Sequence, residues 1–312
     1  MAPHQKMWRH NFIIIFLKKD LLFSIILIII YKHLICWCVG IGRRDRLKIC
    51  CQQWRVGSSP TTSTRKAASF EAAFSIVKTE VFVMKKYEAI LFDADETLLD
   101  FKKSEKYAFF EVLEHWGLND AERLLAIYSQ ANKEAWLLYE KGELTKDRLT
   151  VYRFERFFEK VGFNDYSPEQ WNEFYKSRLG KHGYVLEGVT DILEFAKDRF
   201  DLYIITNGLA AIQYERIQKA GIAKYFKEIF TSEEIGSQKP QKEFFDAVYN
   251  KIGIDKDKTL IIGDSLTSDI VGGCAYGVDT CFLNWFDVET KVSPTYQVKN
   301  LSELLDLLKK LG

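Results

Sequence analysis

An apolar run, Ile90-Leu91-Phe92, leads straight into two carboxylates one residue apart, Asp93 and Asp95, with Thr97 two residues beyond. Alternate side chains of an extended backbone point the same way, so the two acids share one pocket at a strand's end. Carboxylates placed like this repel each other unless a cation or a shared task holds them together. The pairing suits a nucleophilic aspartate beside a general acid/base, with Mg²⁺ neutralising both the site and a phosphate.

The pattern returns twice. Leu202-Tyr203-Ile204-Ile205 ends in Thr206-Asn207-Gly208, and Leu260-Ile261-Ile262-Gly263 ends in Asp264, with Asp269 further on. Lys239-Pro240 stands between them. Strands are expected at 87–92, 202–205, near 229–230, at 260–262 and at 280–283. Helical phasing marks 189–198, 209–220, 241–252, 269–276 and 301–311. Strands alternating with helices imply a parallel sheet covered on both faces, with its site beyond the carboxyl ends of the strands. Asp93, Thr206 and Asp264 all fall there.

Between the first two strands the period is helical throughout, over 104–116, 120–139, 146–161 and 168–179. Four helices without a strand predict an inserted bundle. The expected fold is α/β, a Rossmann-like doubly wound parallel sheet carrying an inserted α-helical cap. Residues 84–101 and 185–312 form the core, and 102–184 the cap.

Charge separates the remainder. Residues 1–83 hold 13 Lys/Arg against 4 Asp/Glu, a balance of +9 within a chain of formal charge +1. The rest is therefore acidic, at −8, and offers no electrostatic footprint for nucleic acid. Cys274 and Cys281 lie in apolar surroundings without a CxxC pair, which points to reduced core thiols of a cytoplasmic protein. The apolar run at 21–31 is about half the roughly 20 residues of a membrane span. Joining it to 34–41 would put Lys32 and His33 near mid-membrane, so no membrane partner is expected. Gly57-Ser58-Ser59-Pro60 can be written in codons that resemble a tRNA T-arm. Arg46-Leu47-Lys48-Ile49-Cys50 can be written as a leucine tRNA anticodon arm, and Glu80-Val81 as a ribosome-binding sequence. The expectation is that residues 1–83 are an over-extended gene reading, that Met84 is the true start, and that a chain beginning there carries the whole activity.

A strand with DxDxT, a strand with Thr, a lone Lys and a strand with GDxxxxD, in that order, resemble the four motifs of the haloacid dehalogenase-like (HAD) hydrolases. The wording around them, and Asn132-Lys133-Glu134-Ala135-Trp136-Leu137-Leu138-Tyr139-Glu140-Lys141-Gly142 in the cap, is similar to the YjjG/YfnB group of pyrimidine 5'-nucleotidases. The resemblance implies a phosphatase in which Asp93 attacks phosphorus to form an aspartyl-phosphate. Asp95 would protonate the leaving oxygen and then activate water. Asp93, Asp264 and the main-chain carbonyl of Asp95 would ligate Mg²⁺ as cofactor. Thr206, Asn207 and Lys239 would hold the phosphoryl group, and Lys239 would also restrain Asp93. Asp269 would orient metal-bound water or Lys239.

Dehalogenases of this kind attack carbon and need neither Asp95 nor the metal, so Asp95 with Asp264 favours phosphate chemistry. The implied partner is a small phosphate ester, a nucleoside monophosphate first, with phosphoglycolate or a sugar phosphate as alternatives. A membrane-tethered binding protein of the same fold is the alternative of another class. Blander roles compete at single positions: Asp93 and Asp95 as a helix-capping turn, Thr206 as a plain strand end, Lys239 as a solvated lysine, Asp269 as an N-cap. His115 and His182 lack ligand spacing. The cap aromatics Trp136, Tyr139, Tyr152, Phe154, Phe157 and Phe158 could stack on a base, although most are expected inside the bundle.

Overall fold

The computed structural model describes residues 87–312, so the expectations for residues 1–83 lie outside the described residues. Strand β1 (Ala89–Phe92) is apolar at every position and buried at every position. It sits mid-sheet, parallel to β2 (Asp201–Thr206) on one side and to β4 (Thr259–Gly263) on the other. Strands β3 (Glu228–Thr231), β5 (Asp279–Leu283) and β6 (Tyr296–Val298) complete a parallel sheet of order β3-β2-β1-β4-β5-β6. The chain runs outward from β1 on one side and returns to β4 on the other. The strand order therefore reverses between β1 and β4, which is where sheets of this kind open a crevice.

Alternation along β1 explains the two layers of helices. Ile90 and Phe92 join Ile204, Ile262 and helices α5 (Val189–Ala196) and α10 (Leu301–Leu311) on one face. Ala89 and Leu91 join Ile205, Ile261 and Phe244, Phe245 and Val248 of α8 (Lys242–Ile252) on the other. Each fully buried phenylalanine contributes about 1.5–3 kcal/mol over an exposed one.

The inserted helices are α1 (Phe101–His115), α2 (Ala121–Glu140), α3 (Lys146–Val161) and α4 (Pro168–Leu179). Asp100, Thr145 and Ser167 accept main-chain N–H groups at the starts of α1, α3 and α4. The Asp100 cap explains why α1 begins three residues before the phasing suggests. These helices enclose an aromatic core of their own, in which Phe109 stacks on Tyr128 at 4.4 Å and Phe154, Phe157 and Trp171 are fully buried. Within it lies a buried polar group. Glu105 accepts from Ser129 (2.6 Å) and Asn132 (2.8 Å), while Arg153 donates to Asn172 (3.0 Å), Asn132 (3.4 Å) and the Thr150 carbonyl (3.0 Å).

Other differences from the expectations are local. Residues 269–276 are not one helix: a π-turn, Leu266–Ile270, precedes α9 (Val271–Tyr276). Strand β6 and the one-turn helix α7 (Ser232–Ile235) were not anticipated. Cys281 is buried as expected, but Cys274 is only half-buried, its sulfur near the Thr280 hydroxyl and the Ser293 carbonyl. Among the described residues, no helix is long and apolar enough to cross a membrane.

Candidate active site

The ends of β1, β2 and β4 deliver Asp93, Thr206 and Asp264 to one place, as the parallel register requires. Asp93 continues the pairing of β1 through its N–H to the Ile262 carbonyl (2.8 Å), and the chain then turns sharply, with Glu96 in the left-handed region (φ 59°). Asp93 and Asp95 are thus the end of a strand and the start of a tight turn, not a helix cap.

Lys239 lies beneath them. Its ammonium is 1% exposed and donates to Asp93 Oδ1 (2.6 Å), Asp269 Oδ1 (2.7 Å) and the Ile205 carbonyl (2.8 Å). All three of its donors are used. A solvated lysine is excluded by that burial. Burial alone would lower the ammonium, but Asp269 and Asp93 outweigh it and hold Lys239 above its ordinary value. The Asp93 carboxyl is pushed up to about 7 by burial, against the pull of Lys239 and with Asp269 adding to the rise. Asp264 is likewise raised, by burial first and then by Asp93.

Asp269 has no exposed surface. Its second oxygen accepts the Ser265 N–H (3.1 Å), and the helical turn that follows is capped by Ser265 instead, which accepts from Ser268 (3.2 Å). Asp269 is therefore not an N-cap. Gly263 makes the arrangement possible, because a Cβ there would run into the Asp269 carboxylate. Oxygen atoms of Asp93, Asp264 and Asp269 all lie within 4.8 Å of one another. Asp269 spends both oxygens on protein donors. Asp264 makes no hydrogen bond or ion pair from its carboxylate among the described residues.

Thr206 is buried, and its hydroxyl accepts from the Gly208 N–H (3.1 Å) and Gln213 Nε2 (2.8 Å), which leaves its own proton to donate. Asn207, expected at the substrate, turns its amide elsewhere: Oδ1 takes the Lys239 N–H (2.9 Å) and Nδ2 donates to the Lys239 carbonyl (2.9 Å). Its side chain thus holds both peptide groups of Lys239 and ties the two loops together.

Several residues here escaped the sequence. On α6 (Ala210–Lys219), Gln213 donates to Asp95 Oδ2 (2.9 Å) and Arg216 to Asp95 Oδ1 (2.5 Å), and each of the two is 1% exposed. Nothing in the sequence sets these two apart from the other polar residues of the helix. From the inserted helices, Lys146 donates to the Asn207 carbonyl and to Ser232 (3.1 Å), with its ammonium over the rings of Tyr139 (4.4 Å) and Trp136 (5.0 Å). Burial pulls Lys146 down to about 7. Glu140 accepts from Thr267 (2.7 Å), and Gln238 donates to the Tyr139 carbonyl (3.3 Å). The turn between α2 and α3 thus lies against the loops that bear Asn207, Gln238 and Thr267. Of the cap aromatics, Phe154, Phe157 and Phe158 belong to the bundle interior, while Trp136, Tyr139 and Tyr152 cluster toward this turn. His182 pairs with Glu111 (2.7 Å) and His115 stacks on Phe174 (4.2 Å), both in structural settings.

A family model described as haloacid dehalogenase-like hydrolase matches residues 90–283. The chain is 38% identical to pyrimidine 5'-nucleotidase PynA of Streptococcus pneumoniae, over 72% of this chain and 96% of that one. It is 33% identical to pyrimidine 5'-nucleotidase YjjG of Escherichia coli, over 72% and 99%. The HAD-hydrolase YfnB of Bacillus subtilis is 36% identical, over 72% and 97%. A crystal structure of that protein bound to magnesium superposes with a TM-score of 0.68, at 35% identity over 72% of this chain and 99% of that one.

Proposed function

Because the chain belongs to the haloacid dehalogenase-like hydrolase family and is a phosphoric monoester hydrolase, we propose that it works with Mg²⁺ through an aspartyl-phosphate on nucleoside 5'-monophosphates, pyrimidine ones first. The observation that carries this reading is the buried acid set, in which Lys239 grips Asp93 while Asp264 beside it has no partner among the described residues. Such a donor set, all oxygen and rich in charge, fits a hard divalent cation. Asp93, Asp264 and the Asp95 carbonyl would hold Mg²⁺, which would supply positive charge against the acids and the phosphate.

The chain's own groups divide the chemistry. Lys239 restrains Asp93 by Oδ1 alone, and the carboxylate attacks phosphorus as the bond to the ester oxygen breaks. Asp95 gives its proton to the departing oxygen, then takes one from the water that cleaves the aspartyl-phosphate. The Thr206 hydroxyl donates to a phosphoryl oxygen. The names of two relatives and the aromatic cluster of Trp136, Tyr139 and Tyr152 beside Lys146 support a nucleotide over a smaller ester.

The test is phosphate release from pyrimidine and purine nucleoside monophosphates, sugar phosphates and phosphoglycolate, each with Mg²⁺ and with chelator. Pyrimidine nucleotides are expected to lead, and chelator to stop turnover. A sugar phosphate or phosphoglycolate turned over faster than every nucleotide overturns the substrate. Turnover unaffected by chelator overturns the Mg²⁺ requirement.

A further inference from the structure

Asp95 does not stand free above the site. Both of its oxygens are occupied, Oδ1 by Arg216 Nη1 at 2.5 Å and Oδ2 by Gln213 Nε2 at 2.9 Å. The two donors are bonded to each other, Arg216 Nη1 to Gln213 Oε1 at 2.9 Å, and both are buried. Gln213 also reaches the Thr206 hydroxyl at 2.8 Å, so one amide nitrogen touches both the expected acid/base and the expected phosphoryl-binding hydroxyl. Arg216 extends the other way, to Ser104 on α1 at 3.3 Å. The neighbouring backbone leaves room for this: a Cβ on Gly208 would stand 2.5 Å from Gln213 Cγ.

We infer that Gln213 and Arg216 are the positioning residues that aim Asp95 at the ester oxygen and hold it at a set distance from the phosphoryl group on Thr206. The inference rests on the phosphomonoesterase reading above and deepens it. A carboxyl group has about four lone-pair sites, and the two donors take one on each oxygen. Each oxygen keeps another on which the transferred proton can sit. In the first step, the bond from Asp93 to phosphorus forms, the bond from phosphorus to the ester oxygen breaks, and the proton of Asp95 passes to that oxygen. In the second, water adds to phosphorus, its proton returns to Asp95, and Asp93 is released. The guanidinium and the amide exchange no proton in either step. They restrict the rotation of the carboxyl group, which a turn residue that is one-third exposed would otherwise have. Since Ser104 belongs to the first inserted helix, the aim of Asp95 is also referred to the seating of that helix.

The test separates aiming from mere support of the fold. The ratio kcat/KM reports only the steps through aspartyl-phosphate formation, in which a poor leaving group needs the proton and a good one does not. Arg216→Met and Gln213→Met should each lower kcat/KM about a hundredfold for a nucleoside 5'-monophosphate and only about threefold for 4-nitrophenyl phosphate. Arg216→Lys should recover most of the nucleotide activity. Should Arg216→Met fold poorly, Gln213→Met carries the comparison, with thermal unfolding as the check. Equal losses on the two esters, or none on either, overturn the positioning role. Turnover of neither ester by the parent protein overturns the hydrolase reading beneath it.

Discussion

The buried polar cluster inside the inserted helices and the one that Lys239 holds at the end of the sheet are balanced differently. In the first, Glu105, Asn132, Arg153 and Asn172 form one carboxylate, one guanidinium and two amides, linked by hydrogen bonds within the helices. In the second, the ammonium of Lys239 faces Asp93 and Asp269 with Asp264 alongside, one cation among three carboxylates. A polar group complete in itself fixes packing, whereas one with surplus charge is prepared to take up charge from outside. The same contrast separates a structural cluster from a functional one without reference to any relative.

That contrast can be broken by substitution. The largest effect belongs to the sheet. Asp93→Asn keeps the shape and removes the proposed nucleophile, so phosphate release should fall about a thousandfold or more with the fold intact by circular dichroism. Residual activity above about one per cent would remove Asp93 from that role. Next comes the insertion: Arg153→Met leaves buried acceptors on Asn132, Asn172 and Thr150, and should cost about 3 kcal/mol in urea unfolding. A neutral result would mean that the inserted cluster is not the structural one.

Asp264→Asn should do the opposite of Arg153→Met. It removes the charge of a half-buried carboxylate that has no partner among the described residues, so the melting temperature should hold or rise, while the apparent Mg²⁺ affinity in activity titrations weakens about tenfold, or about 1.4 kcal/mol. A titration identical to the parent's would exclude Asp264 as a ligand. The smallest effect is a pH dependence. Burial, stronger than its bonds to Ser129 and Asn132, holds Glu105 above the ordinary carboxylate value. The folded chain therefore keeps that proton to higher pH than the unfolded chain does. Glu105 supports the fold below its unfolded value, and that support is lost as pH rises through the raised one. The stability of the parent relative to Glu105→Gln should shrink over that window, and a difference constant with pH would contradict the burial argument.

The two clusters were not equally readable. Asp93, Thr206 and Asp264 stand at the ends of apolar strands, where a period of two and a parallel sheet leave a side chain few directions, and the parallel register brings them side by side. Lys239 was a single residue before a proline, singled out by its order among the strands, and it lies against Asp93. Gln213, Arg216 and Lys146 lie on helices that carry many charges, where a polar residue faces solvent by default. Only tertiary packing shows that these three are turned inward. The contact that Asn207 makes was not legible, since the peptide it holds belongs to a loop more than 30 residues away in sequence. Strand β6 is three residues long, too short for a period to register, and the π-turn hides within a pattern that reads as an ordinary helix start. The Glu105 cluster could not be foreseen, because each of its members is individually common on a helix surface.

The place of β1 in the sheet has a consequence for how such a chain is made. As the first strand of the described residues to leave the ribosome, it lies between β2 and β4, and Phe92 pairs with Ile204 on one edge and Ile262 on the other. Its partners follow about 110 and about 170 residues later, which at ordinary synthesis rates is a delay of roughly 10–30 s for the second edge. Until β2 emerges, a four-residue, wholly apolar segment has both edges unpaired, and the edge toward β4 stays open for the rest of that time. The inserted helices end at Leu179, ahead of β2 at Asp201 and far ahead of β4 at Thr259, and they pack among themselves. Newly made chains should therefore carry a finished helical domain beside an open strand, and the acid cluster cannot form until nearly all of the sequence has emerged.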